Sequence, residues 1–132
     1  MNGLAFAYIG DAYYELKIRT YLLNRGLEKV NDLHKLAVKY TSGKSQSMII
    51  THLIEEKQLT DNEIIIYKNG RNFSGNNRKN LSPQEYHQAT GYEALIGYLY
   101  LNDMNRCEEI INLSINYIES QLSRQCQVKS DN

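Results

Sequence analysis

The sequence predicts an all-α protein, and three observations predict it. Apolar residues recur at helical spacing along nearly the whole chain, no stretch alternates as a strand would, and capping or breaking residues separate the periodic runs. At 132 residues the chain is long enough for one core but not for two. Residues 3–24 read as one long helix, closed by Gly26 as a C-terminal cap. A second helix is expected to begin at Asn31 or Asp32, either of which can cap it, and to run to about Thr41. Ser42 and Gly43 break that run, and Met48, Ile49, Leu53 and Ile54 mark a third helix within residues 44–57. Thr60-Asp61-Asn62-Glu63 is a capping-box pattern that opens a short helix ending near Gly70. Residues 69–81, rich in Asn, Gly, Arg and Lys, read as the one extended loop. Ser82-Pro83-Gln84-Glu85 then restarts a helix with a cap, a proline at the first helical position and a glutamate at the third. That helix is expected to reach about Leu101, and a last one to cover residues 104–122. The organisation is therefore one domain over residues 1–122 and a polar, mobile tail over 123–132.

Charge excludes one class of function. Lys and Arg number 15, as do Asp and Glu, so the chain cannot hold nucleic acid by bulk electrostatics and only a local basic patch could serve. One such patch exists: Lys68, Arg71, Arg78 and Lys79 fall within twelve residues that contain no acid. Eleven Tyr stand against two Phe and no Trp, which suits half-buried helix faces and interfaces where each hydroxyl finds a partner. Cys107 and Cys126 give neither a disulfide framework nor a metal spacing. No apolar run is long enough to span a membrane and no signal-peptide pattern opens the chain, so a cytoplasmic protein is expected. Ser42-Gly43-Lys44-Ser45 looks like the end of a phosphate-binding loop. The earlier glycine of that loop would fall at Val38 and no strand precedes it, so no nucleotide cofactor is expected. His34, His52 and His87 lie at spacings that make no metal site.

Two helices carry an acid where none is expected. Residues 4–14 read as apolar on every face, a fully packed central helix, yet Asp11 sits within them. Residues 91–101 repeat the arrangement with Glu93 as their only charge. Burying an ionised carboxylate costs several kcal/mol unless it is paired, hydrogen-bonded or bound to a metal. No Lys or Arg lies within one helical turn of either acid. A shared divalent cation is one solution, since oxygen ligands suit Mg²⁺. Hydrogen bonds from buried tyrosines or helix ends are the other, and the residues alone leave both open. Gly10, Gly91 and Gly97 would let the two helices approach closely, and Glu15, four residues after Asp11, is a candidate third ligand.

Ala7-Tyr8-Ile9-Gly10-Asp11-Ala12, followed by Glu15, resembles the Gly-Asp-Ala motif of ribonuclease III catalytic domains. Tyr92-Glu93-Ala94-Leu95-Ile96-Gly97-Tyr98-Leu99-Tyr100-Leu101 resembles the second conserved segment of that family, in the family's order and about eighty residues later. The segments Asn31-Asp32-Leu33-His34-Lys35 and Gly70-Arg71-Asn72, and a chain expected to end soon after the catalytic domain, resemble the Mini-III branch, which lacks a double-stranded-RNA-binding domain. The resemblance covers roughly residues 2–119 and implies the ribonuclease III endonuclease-domain helical fold in a homodimer. It implies Asp11 and Glu93 as catalytic ligands of Mg²⁺, with Mn²⁺ able to substitute, cleaving double-stranded RNA to 5′-phosphate and 3′-hydroxyl ends. It also implies maturation of large-subunit (23S) ribosomal RNA precursors. Two departures stand out: Ala7 and Thr90 occupy positions where full-length ribonuclease III carries further carboxylates, a reduction that the Mini-III branch shares.

With zero net charge, RNA must be met by concentrated cations. The expected contacts are Arg71, Arg78 and Lys79 in the 69–81 loop, and Lys44 with Ser45 and Gln46 at a helix start. The competing reading is a catalytically silent ribonuclease III-like dimer that only binds structured RNA. A helical protein-interaction module would explain the tyrosines but neither carboxylate.

Overall fold

The computed structural model describes residues 2–72 and 82–131, with the backbone alone for 127–131. Six helices follow in order: α1 (Gly3–Asn24), α2 (Val30–Thr41), α3 (Gly43–Glu55), α4 (Asp61–Asn72), α5 (Pro83–Asn102) and α6 (Met104–Asp131). There is no strand among the described residues.

The ends of the helices are set by local chemistry. Asn2 opens α1 by accepting a hydrogen bond from the Ala5 N–H at 2.8 Å. Gly26, at φ +89°, closes it with its N–H on the Leu23 carbonyl. The capping box of α4 is reciprocal: Glu63 N–H donates to Thr60 Oγ1 at 3.1 Å and Thr60 N–H donates to Glu63 Oε1 at 2.9 Å. Ser42 Oγ accepts from Ser45 N–H at the start of α3, and Ser82 Oγ from Glu85 N–H at the start of α5. Three boundaries differ from the sequence expectation. α2 begins at Val30 with Lys29 at the cap position and no side-chain cap, so neither Asn31 nor Asp32 caps it. α4 runs on through Arg71 and Asn72 instead of yielding to a loop at 69. α6 passes Leu122 and continues to Asp131, where a tail was expected.

α5 is the axis of the domain and packs against α1, α3, α4 and α6. It is buried on nearly all sides, from Ala89 and Thr90 through Tyr92, Leu95, Ile96 and Leu99. The closest approach is to α1: a Cβ on Gly10 would overlap the carbonyl oxygen of Glu93, and one on Gly97 would overlap the carbonyl oxygen of Phe6. α4 joins the same seam, since a Cβ on Gly91 would lie 2.7 Å from the Tyr67 carbonyl oxygen. Around this seam the apolar core gathers Tyr14, Ile18, Leu22, Ile49, Ile50, Leu53, Ile110 and Ile111.

α6 is held to α1 by polar bonds. Tyr13 donates to Glu108 at 2.6 Å, Lys17 pairs with Glu108 at 2.9 Å, and Tyr21 and Arg25 both reach Glu119 at 2.6 Å. Tyr13, Lys17, Tyr21 and Arg25 are successive i, i+4 positions, one face of α1. At the other end, Glu63 is 4% exposed and takes a forked grip from Arg106, whose Nε and Nη2 donate at 2.8 and 2.9 Å. Burial opposes the charge of Glu63, but the bonds from Arg106 and Thr60 outweigh it and hold the carboxyl below its ordinary value of 4.5.

Two outcomes test this account. Gly10→Ala should destabilise by about 3 kcal/mol or more in chemical denaturation, because backbone must move. Gly26→Ala, open in space but strained at positive φ, should lose only about 1 kcal/mol. The second concerns acid. A lowered native pKa contributes stability above the unfolded value of about 4.5 and loses it as pH falls through the native one. Stability measured from pH 6 to 2 should therefore fall on the acid side, and Glu63→Gln should flatten that fall while lowering stability at neutral pH.

Candidate active site at the crossing of α1 and α5

Asp11 follows Gly10, and Gly10 rests on the backbone of Glu93, so the glycine contact brings two acid-bearing turns of different helices to one crossing. The burial reading of Asp11 needs correction. Asp11 is exposed, and Glu93 is half-buried. α1 is apolar all round because one of its faces is uncovered, not because all are packed: Leu4, Tyr8, Leu16 and Leu23 stand in solvent, Tyr8 at 84% exposure. The buried face is Gly3, Ala7, Gly10, Tyr14, Ile18 and Leu22, and Asp11 lies at its rim. Among the described residues no side chain hydrogen-bonds or ion-pairs with Asp11, so the tyrosine-bonded alternative does not hold for it.

Tyr14 and Tyr92 bond elsewhere. Tyr14 donates to the Tyr40 carbonyl at 2.9 Å, and Tyr92 shares a 2.7 Å bond with Ser114. Burial, and then the bond to Glu108, push the Tyr13 phenol well up, so it acts as a donor and not as an acid. Burial also pushes the Cys107 thiol up to about 12, which makes it inert.

Glu15 lies one turn beyond Asp11 and pairs with Arg19 at 3.3 Å. Ala7 and Thr90, one turn before Asp11 and Glu93 respectively, are both buried, and Thr90 Oγ1 donates to the Tyr86 carbonyl at 3.0 Å. Among the described residues no three His, Cys, Asp or Glu side chains gather as a metal cage. Asp11 and Glu93 would thus supply only part of a coordination sphere, all of it oxygen. That donor set fits a cation that keeps most of its waters, as Mg²⁺ does, and not one that demands four protein ligands.

The predicted RNA contacts are dispersed. Arg71, in the last turn of α4, lies over the Tyr67 ring at 5.5 Å and lines a cleft of about 380 Å³ with Asn72, Gln84, His87 and Gln88, none of them acidic. Lys44 is exposed in the first turn of α3. Arg78 and Lys79 lie outside the described residues. The sequence reading missed the pairing of Glu63 with Arg106, of Glu108 with Lys17 and of Glu119 with Arg25, whose partners are too distant in sequence for any local signal. No described helix is long and apolar enough to cross a membrane.

Comparison with known proteins shows the family. Residues 4–104 match the Ribonuclease III domain family. A Mini-ribonuclease 3 of Acholeplasma laidlawii is 47% identical over 119 residues, covering 90% of this chain and 95% of the relative. One from Clostridium tetani is 46% identical over 122 residues, covering 90% of this chain and 80% of the relative. A crystal structure of a Fusobacterium nucleatum protein superposes with a TM-score of 0.77 at 33% identity, covering 88% of this chain and 93% of the other. The chain belongs to the ribonuclease III family, in its Mini-ribonuclease 3 branch, and is an endoribonuclease.

Proposed function

We propose that the chain cleaves double-stranded RNA in a divalent-metal-dependent reaction centred on Asp11 and Glu93, and that it acts as a homodimer on precursors of large-subunit (23S) ribosomal RNA. The observation that carries the reading is the glycine-tight crossing at Gly10, which puts the two acids on opposed helices at one place.

Asp11 and Glu93 would hold Mg²⁺, with Mn²⁺ able to replace it. A cation held there would supply activation of a water, orientation of the scissile phosphate and relief of the charge that develops on it. Asp11, exposed at the rim, keeps its carboxylate available to ligand and substrate. Glu93, half-buried, is fixed by the helix that the whole core packs upon. Glu15, restrained by Arg19, stands close enough along the helix to orient a water or add a ligand. The products would carry 5′-phosphate and 3′-hydroxyl ends. Arg71 with its acid-free cleft, Lys44, and Arg78 and Lys79 are the proposed RNA contacts. The catalytic unit would comprise residues 1–122.

Dimerisation is supported by the uncovered stripe of α1. Leu4, Tyr8, Leu16 and Leu23 stand exposed on one side of α1, interleaved with the Glu15–Arg19 pair. A second copy covering it would flank each Asp11 with the partner subunit and set two sites for two strands.

The test is cleavage of long duplex RNA with Mg²⁺ and with EDTA, beside Asp11→Asn and Glu93→Gln. Both variants should lose about a thousandfold in rate, roughly 4 kcal/mol of transition-state stabilisation, while keeping their helical content. Binding without metal-dependent cutting by the wild type would sink the enzymatic reading in favour of a silent RNA-binding dimer. Separately, Tyr8→Asp should shift the protein from dimer to monomer in sedimentation without loss of helical signal. An unchanged dimer would remove the α1 stripe from the interface.

A further inference from the structure

Three of the lysines that lack a carboxylate partner among the described residues stand together. Lys17, Arg19, Arg25 and Arg106 are each tied to a glutamate within 3.3 Å. Lys35, Lys39 and Lys44 make no ion pair among the described residues, and all three line one groove of about 640 Å³. Its walls are the exposed side of α2, the first turns of α3 and the end of α6, where Gln121 and Gln125 face the lysines. No acid lines it. The nearest acid of that part of α6, Glu119, is turned away and consumed by Tyr21, Tyr40 and Arg25. Lys35 and Lys39 are one helical turn apart, so their ammonium groups stand in a row along the groove. Ser42 and Ser45 add hydroxyls at the α3 end, where Ser45 Oγ is anchored to the Lys39 carbonyl at 2.7 Å.

We propose that this groove between α2, the start of α3 and the end of α6 is a binding track for the phosphate backbone of the RNA substrate. The proposal rests on RNA being the substrate and extends it to Lys35, Lys39, Gln121 and Gln125. An overall charge of zero leaves no general attraction for RNA, so affinity must come from cations whose charge is not spent within the fold. Here three such cations share one concave surface. The groove also gives the stretch of α6 from Ile118 to Gln125 a role, as the wall that faces the lysines. It adjoins the apolar cleft that reaches Glu15, because His34 and Val38 line both.

The experiment measures binding and steady-state cleavage of duplex RNA over a range of salt for the full chain. Lys35→Ala/Lys39→Ala/Lys44→Ala should weaken binding by on the order of tenfold and lower the slope of log affinity against log salt by about three. The loss should fall on KM and spare kcat. Gln121→Glu/Gln125→Glu, which adds charge to the opposite wall, should weaken binding in the same way. Lys29→Ala/Lys57→Ala, two exposed lysines away from the groove, should change little. A triple variant with unchanged affinity and unchanged salt slope overturns the groove while the wild type still cuts, leaving the proposed function standing. A wild type that neither binds nor cuts duplex RNA overturns both. If the triple variant binds RNA normally but loses binding to poly-glutamate, the groove serves an acidic protein and the RNA assignment is wrong.

Discussion

The contact on which the rest depends is the backbone-to-backbone approach of α1 and α5 at Gly10 and Gly97. Helices with ordinary side chains at the crossing stand about 8–10 Å apart. Here the absent Cβ atoms let the carbonyl oxygen of one helix lie against the Cα of the other. That closeness has a functional consequence, because the turn that follows Gly10 carries Asp11 and the turn it touches carries Glu93. A wider crossing would separate the turns that carry the two acids. It also has a structural one. α5 is fixed at the centre, and α3, α4 and α6 are then placed by their packing against it.

A tyrosine-rich core raises a satisfaction problem that the fold answers with α6. Each buried phenol needs an acceptor, and each buried carboxylate needs donors. Glu108 and Glu119 stand where the i, i+4 face of α1 presents Tyr13, Lys17, Tyr21 and Arg25, so the two requirements meet. Glu63 and Arg106 perform the same exchange at the start of α6 and also tie in the Gln58 carbonyl at 2.7 Å. Glu63, Glu108 and Glu119 are therefore taken up by structure. Asp11 stands at a rim with no protein partner among the described residues.

The same division runs through the cations. Those that face α6 or the α4 cap are paired, and those on α2 and at the start of α3 are not. A neutral chain thereby presents a local positive surface without an excess of basic residues. Leu4, Tyr8, Leu16 and Leu23 stand exposed along α1, while Lys35, Lys39 and Lys44 line a groove elsewhere on the surface.

The sequence alone determined what depends on neighbours within a turn or two. It located six helices, the capping box at Thr60–Glu63, the closing role of Gly26, the glycines of the crossing, and the two acid-bearing motifs. All of these are written in i to i+4 chemistry. It misplaced the start of α2 and the ends of α4 and α6, where no strong cap or breaker competes with continued helix. It read α1 as packed on every face, because apolar pattern measures the wish to be covered and cannot say whether this chain or another does the covering. Only the tertiary structure decided that Asp11 is exposed, that Glu63 is buried against Arg106, and that Lys35, Lys39 and Lys44 line one groove with the end of α6. Those facts join residues separated by forty to ninety positions, and which of them meet is set by how helices dock rather than by how any one of them forms.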